Sequence, residues 1–310
     1  MTTTLTRPPG HRRLLHATAV LVAVTALAPM SWGTTYSVTT ELLPPDHPLF
    51  AALVRTLPGG LLLVAATRTL PRGDWWWRAA VLGTLNIGVF QALLFVTAER
   101  LPGGVAATLG AVQPLVVAGL AVLVLHERPT AWRTGWSVVG VVGVGLVVLE
   151  PTARLDAVGI LAGLAGAASM ALGVTLTKRW GTPPDVGPLA YAGWQLAAGG
   201  LVLLPATALL EGVPPGIDGG AVAGYLWLGS VGGVVAYSLW FRGIRLLPVT
   251  AISMLGLLSP LVAASIGALL LGESLAAAQL LGFGLALAAL VAGQRDHAPV
   301  ALLLARGARP

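Results

Sequence analysis

Side chains able to do chemistry are few in this 310-residue sequence, and their placement narrows what that chemistry can be. Cysteine is absent, which removes thiolate nucleophiles, disulfides and sulfur-based metal sites. The five histidines, His11, His16, His47, His126 and His297, fall near the termini or in short polar connections, as do the aspartates. No Ser/His pair, aspartate dyad or metal cluster is therefore expected inside a site, and neither is a cofactor. What lies within the long apolar runs is one cation, Arg55, and a set of neutral polar or aromatic groups: Trp32, Asn86, Gln91, Gln113, Gln195, Tyr237, Trp240, Ser253 and Ser259. Of these, Trp32, Gln91, Gln113, Tyr237, Trp240 and Ser259 are the candidates to line a substrate cavity. A charge at the centre of a bilayer costs about 2.5–3.5 kcal/mol, so Arg55 needs a reason to be there. It can bind a substrate carboxylate, pair with Glu99, or snorkel to the nearer surface. Glu99, Glu127 and Glu273 are the candidates for proton coupling, but each stands at a helix end, where a capping or surface role competes. Pro114 and Pro260, near the middle of two apolar runs, each remove a backbone hydrogen bond and free a carbonyl at depth, which suits a pair of hinges.

The elements that hold these groups follow from the solvent. Hydrophobic residues make up 56% of the chain and charged ones 10%, with a mean hydropathy of +0.84. Too few charges remain to coat a soluble surface, where about a quarter of residues are charged, and lipid needs no such coat. Runs of about 20 apolar residues, the length that crosses the hydrocarbon, predict ten transmembrane helices near 14–38, 48–67, 78–98, 104–125, 134–150, 156–177, 188–210, 219–241, 249–271 and 275–294. Residues 1–13 and 295–310 remain as tails. Arg12-Arg13 before the first apolar run resembles a secretory signal, but the run continues past its core to Val38, so a retained span is expected. With both termini in the cytoplasm, fifteen of the eighteen Lys and Arg fall on the cytoplasmic side and two, Arg100 and Arg154, outside, leaving Arg55 within a span. The excess of six positive charges is thus spread over helix ends, which argues against nucleic acid as a partner. Trp75, Trp76, Trp77 and Trp132 stand at cytoplasmic helix ends, where indoles anchor at the interface.

The sequence also repeats itself. Val89 to Glu127 aligns without a gap on Val235 to Glu273 at an offset of 146 residues: Leu101-Pro102 with Leu247-Pro248, Leu109-Gly110 with Leu255-Gly256, Pro114-Leu115-Val116 with Pro260-Leu261-Val262, and Glu127 with Glu273. Each half, 14–150 and 156–294, then holds five helices. Because five is odd, the second half enters the membrane upside down relative to the first, an inverted repeat suited to alternating access. Gln91 and Tyr237 are partners at this offset, which favours them among the cavity candidates. Glycine pairs at four-residue spacing, Gly159/Gly163 and Gly229/Gly233, predict close helix packing.

These motifs resemble the drug/metabolite transporter superfamily, specifically the EamA-type exporters of ten spans. The likeness rests on Leu101 to Ala107 running through Gln113-Pro114 to Glu127-Arg128-Pro129, on its counterpart through Ser259-Pro260 to Gly272-Glu273, and on Ser31-Trp32-Gly33-Thr34. It implies secondary export of a small metabolite, amino acid or toxic compound across the cytoplasmic membrane, often driven by a proton gradient. The family often carries an arginine at the place of Arg55, which favours a structural pairing there. No Gly-rich loop ending in Gly-Lys-Ser/Thr is present to use ATP. A neutral, aromatic cavity with one cation fits an amphipathic or zwitterionic metabolite better than a phosphate or sugar nucleotide. A flippase for lipids or lipid-linked sugars is the alternative, distinguished by a side opening toward lipid, whereas an intramembrane enzyme lacks the groups it would need. The expected partners are a small-molecule substrate, the bilayer and protons; oligomeric state has no signature in the sequence.

Overall fold

A computed structural model of the chain describes residues 9–101, 109–127, 130–148, 156–270 and 276–293. Glu273, the 102–108 segment and Arg128-Pro129, which carry part of the repeat motif, lie outside the described residues, as does Arg154. Among the described residues the structure is helical and contains no strand. In chain order the helices are α1 (Ala17–Leu42), α2 (Pro48–Thr67), α3 (Trp75–Arg100), α4 (Leu109–Leu125), α5 (Ala131–Val148), α6 (Ala157–Trp180), α7 (Pro188–Leu210), α8 (Gly219–Leu246), α9 (Val249–Ile266) and α10 (Ala277–Gly293). Seven of them, all but α4, α5 and α10, are long and apolar enough to cross a membrane, and α4 and α10 are shorter apolar helices.

Helix starts are written in the sequence. Asp156 and Asp218 accept from the backbone N–H of Gly159 (2.7 Å) and Ala221 (2.8 Å), capping α6 and α8. Pro48 and Pro188 open α2 and α7, where a missing N–H costs nothing. α2 has no side-chain cap of its own; instead the Glu211 carboxylate, just beyond α7, accepts from the N–H groups of Leu49 (3.0 Å) and Phe50 (2.9 Å). Hydroxyls within the helices turn inward on their own backbone, as Thr25, Thr56, Thr175 and Ser238 donate to the carbonyl four residues back.

Glycines set how closely helices approach. A Cβ at Gly60 would collide with the Ala197 backbone, one at Gly193 would lie 2.9 Å from the Leu63 Cβ, and one at Gly200 would lie 2.6 Å from the Leu57 Cβ. Residue numbers therefore rise along α2 as they fall along α7, and the two run antiparallel. The same descending register holds for α5 and α10, where Gly143 meets Ala286 and the Trp132 indole donates to the Ala292 carbonyl at 2.9 Å. It also holds for α3 against α6, through Gly159 on Leu101, Gly163 on Thr97 and Gly173 on Asn86, and for α1 against α8, through Thr25 on Gly243 and Trp32 on Gly232. Gly229 and Gly233 face the Val54 and Arg55 carbonyls of α2.

Among the described residues, three helices carry a π-turn, with its wider i→i+5 bonding: two stand at matching places, Thr84–Val89 in α3 and Ser230–Val235 in α8, 146 residues apart, and the third is Ala121–Leu125 at the end of α4. Three helices are interrupted by a turn; in α1 it falls at Thr34, between Gly33 and Thr35. α4 turns at Val112 before Gln113–Leu120, and α9 turns at Gly256 and Leu257 between Val249–Leu255 and the segment that opens at Leu258. Pro114 and Pro260 thus do stand mid-run, but each sits in the first turn after a break rather than kinking a continuous helix. There the absent N–H breaks no bond.

The ends of the bundle differ in charge. Asp46, His47, Glu99 and Glu211 gather at one end, with Arg100 and Asp156 paired at 3.8 Å. At the other, Lys178 donates to the Ile244, Arg245 and Leu247 carbonyls that close α8, and Arg179 to the Val124 carbonyl of α4. We refer to these as the acidic and basic ends. Trp76, Trp77 and Trp132 are exposed near the basic end, as interface anchors would be, whereas Trp75 packs inward.

Candidate functional site

A cavity of about 100 Å³ lies among α1, α2, α3, α4, α6, α8 and α9. Three kinds of wall enclose it. Arg55 and Thr35 form a polar corner; Trp32, Tyr36, Phe90, Tyr237 and Trp240 give aromatic faces; Gly110, Gln113, Gly256, Ser259 and Pro260 bring in the breaks of α4 and α9. Gly163, Gly166 and Ala167 of α6 supply a floor of small residues, and Thr97 marks the side toward the acidic end.

Arg55 is 1% exposed, yet among the described residues no carboxylate meets it. Its guanidinium donates to the Thr35 Oγ1 at 3.2 Å and to the Gly232 carbonyl at 3.5 Å, and its Nε has no partner. That carbonyl also accepts the Trp32 indole N–H at 2.9 Å. Gly232 belongs to the π-turn of α8, and the arginine head packs directly against it. The pairing of Arg55 with Glu99 is not formed; Glu99 instead stands at the acidic end beside His47, Asp46 and Glu211. Two further polar groups of the wall, the Gln113 Nε2 and the Trp240 Nε1, are buried without a partner. Together with the Arg55 Nε they are donors, so the cavity offers unspent N–H groups to an oxygen acceptor and carries one positive charge against no negative one among its lining residues.

Gln91 and Tyr237 meet directly: the Gln91 Nε2 donates to the Tyr237 hydroxyl at 2.7 Å. Gln91 stands behind the wall and reaches the cavity through Tyr237. From there a series of rings runs toward the basic end: Trp32 contacts Tyr237 (5.0 Å) and Trp240 (5.1 Å), Tyr237 stacks on Phe241 (5.7 Å), Phe241 meets Tyr191 (5.8 Å), and Tyr191 meets Trp75 (5.9 Å).

Of the residues the sequence singles out, Trp32, Arg55, Gln113, Tyr237, Trp240, Ser259 and Pro260 come together on this cavity, Gln91 supports it, and Pro114 and Glu99 lie off it. Thr35, Tyr36, Phe90, Thr97 and the α6 stripe were missed. Thr35 and Tyr36 follow Trp32 by three and four residues, a helical spacing that could have disclosed them. Among the described residues no group of three or more His, Asp or Glu could hold a metal ion.

Comparison with known proteins adds to this geometry. The EamA-like transporter family matches the chain twice, over residues 18–149 and 157–292. Protein PecM of Dickeya dadantii is 45% identical over 264 residues, covering 85% of this chain and 89% of PecM. The uncharacterized inner membrane transporter YedA of Escherichia coli K12 is 30% identical over 273 residues, covering 84% of this chain and 86% of YedA. A solved crystal structure shares the fold with a TM-score of 0.71 at 17% identity, over 89% of this chain and 98% of its own. With both of its halves matched and relatives of this closeness along nearly its full length, the chain belongs to the EamA-like transporter family, whose domain it carries twice.

Proposed function

We propose that the chain is a secondary exporter of a small amphipathic organic molecule in the cytoplasmic membrane, the site named for a relative such as YedA. The observation that carries the proposal is the Arg55 corner: a buried cation with long, neutral contacts and an unpartnered Nε, facing a cavity. A charge kept in that state serves a visitor better than the fold. The ligand's carboxylate or carbonyl oxygens meet Arg55, Gln113 and Trp240, and its apolar body lies against Trp32, Phe90 and Tyr237.

In this reading ten helices span the bilayer as two inverted halves, 14–150 and 156–294, with both termini and the basic end in the cytoplasm. The antiparallel register of α2 on α7 and of α5 on α10, and the Gln91–Tyr237 contact, support the inversion. The cavity then lies toward the outside, and the ring series between it and the cytoplasm is the barrier that opens in the other state. The breaks in α4 and α9, next to Pro114 and Pro260, are the hinges. A proton gradient supplies the energy, with Glu99 as the candidate carboxylate.

Metabolite profiling of cells and medium with and without the protein identifies the cargo. Uptake of the enriched compound into inside-out vesicles should then follow an imposed pH gradient. Absence of gradient-driven flux for every enriched compound would dismiss secondary export.

A further inference from the structure

A second buried polar cluster lies outside the cavity. The Asn86 Nδ2 donates to the Gln195 Oε1 at 2.7 Å and to the Thr177 Oγ1 at 3.2 Å, and all three residues are at most 1% exposed. The Asn86 Oδ1 and the Gln195 Nε2 are left without partners. Such stranded groups are costly in a helix bundle unless something else satisfies them.

The position of this cluster is not arbitrary. Asn86 is the third residue of the π-turn in α3, and Gly232 is the third residue of the π-turn in α8. Gln195 follows Pro188, which opens α7, by seven residues, as Arg55 follows Pro48, which opens α2. Asn86 on α3 with Gln195 on α7 therefore matches Gly232 on α8 with Arg55 on α2, each pair formed between one residue of either half. Where α8 has glycine, the long arginine fills the gap; where α3 has asparagine, the shorter glutamine meets it. Gln91 and Tyr237, each five residues further along its helix, sit between the two clusters. Only the Arg55 cluster faces the cavity.

We propose that Asn86, Gln195 and Thr177 form the binding subsite of the opposite state, open at the basic end. This rests on the alternating-access reading above. If the halves exchange conformations, the Arg55 corner is covered and its counterpart uncovered, and the Tyr191 ring, which lies against Thr177, moves aside. The subsite takes the polar end of the same small organic molecule by hydrogen bonds alone: the Gln195 N–H gives to a ligand oxygen, and the Asn86 Oδ1 accepts a ligand N–H or O–H. Having no charge, it holds an anionic end less tightly than Arg55 does.

Because the chain has no cysteine, single cysteines can be read one at a time in the whole protein. Thr97→Cys reports the Arg55 cavity; Thr177→Cys and, as a second probe, Gln195→Cys report the proposed subsite. The impermeant anion sulfonatoethyl methanethiosulfonate should modify Thr97→Cys in intact cells. It should modify Thr177→Cys and Gln195→Cys in inside-out vesicles at least about tenfold faster than in cells, as sided access requires. If both subsite variants are folded but inert from either face while Thr97→Cys reacts, the second subsite is wrong and the transport reading survives. If Thr97→Cys is also inert from both faces, both readings fall.

Discussion

Arg55→Met exchanges a buried guanidinium for an uncharged, shorter apolar chain that keeps the arginine's aliphatic stem. Among the described residues the Arg55 guanidinium hydrogen-bonds to the Thr35 hydroxyl and the Gly232 carbonyl, at 3.2 and 3.5 Å, and the carbonyl keeps the Trp32 indole at 2.9 Å when the arginine is gone. Two such long bonds contribute about 1 kcal/mol each at most. Holding a cation away from water costs several kcal/mol, which no carboxylate offsets here. The substitution should therefore leave stability unchanged or raise it by about 1–2 kcal/mol, a gain of a few degrees in melting temperature at about 2–4 °C per kcal/mol. Ligand binding should move the other way. A charge-assisted hydrogen bond to an anionic ligand is worth about 1.5–3 kcal/mol, so half-saturation for the profiled compound should rise about 10- to 150-fold. Thermal unfolding in detergent and concentration-dependent vesicle flux read the two effects separately. A melting temperature several degrees lower with unaltered half-saturation would show that Arg55 serves the fold, and the argument for the site would fail.

Three further outcomes follow from contacts described above. Tyr237→Phe strands the Gln91 amide, costing about 1–3 kcal/mol; the loss should show as lower maximal flux and melting temperature with insertion intact, and Gln91→Leu added to it should recover part, as a double-mutant cycle would measure. Glu211→Gln weakens the carboxylate that caps α2, so thermal unfolding should report about 1–2 kcal/mol lost. Gly60→Leu drives a side chain into the Ala197 backbone, and size-exclusion chromatography of the solubilised protein should show aggregate instead of a folded peak.

Much of this was legible before any coordinates. Composition and the length of apolar runs announced helices in lipid, because a bilayer leaves the backbone no other choice of comparable simplicity. The 146-residue offset paired Gln91 with Tyr237, and the two side chains meet in a hydrogen bond. What eluded sequence reasoning was rotation about helix axes. Arg55 and Glu99 seemed natural partners, both being near one end of sequence-adjacent helices, but helices such as α6 and α7 are apolar on nearly every side, and hydropathy then says little about which face looks inward. The π-turns were equally hidden: the extra residue in each re-aims everything beyond it, and no residue type signals one. Proline positions were read correctly along the chain and incorrectly in kind, because a proline that begins a half-helix and one that bends a whole helix look alike in sequence.

The contact between Gln91 and Tyr237 has an evolutionary corollary. Were the two halves identical subunits of a dimer, that seam would bring like against like, two amides or two phenols. Joining them in one polypeptide lets the seam hold unlike groups, a donor answering an acceptor, and lets a cation reside in one half while its sister keeps an amide. The duplicated protein has thereby given up interchangeable parts, and neither half should be able to replace the other.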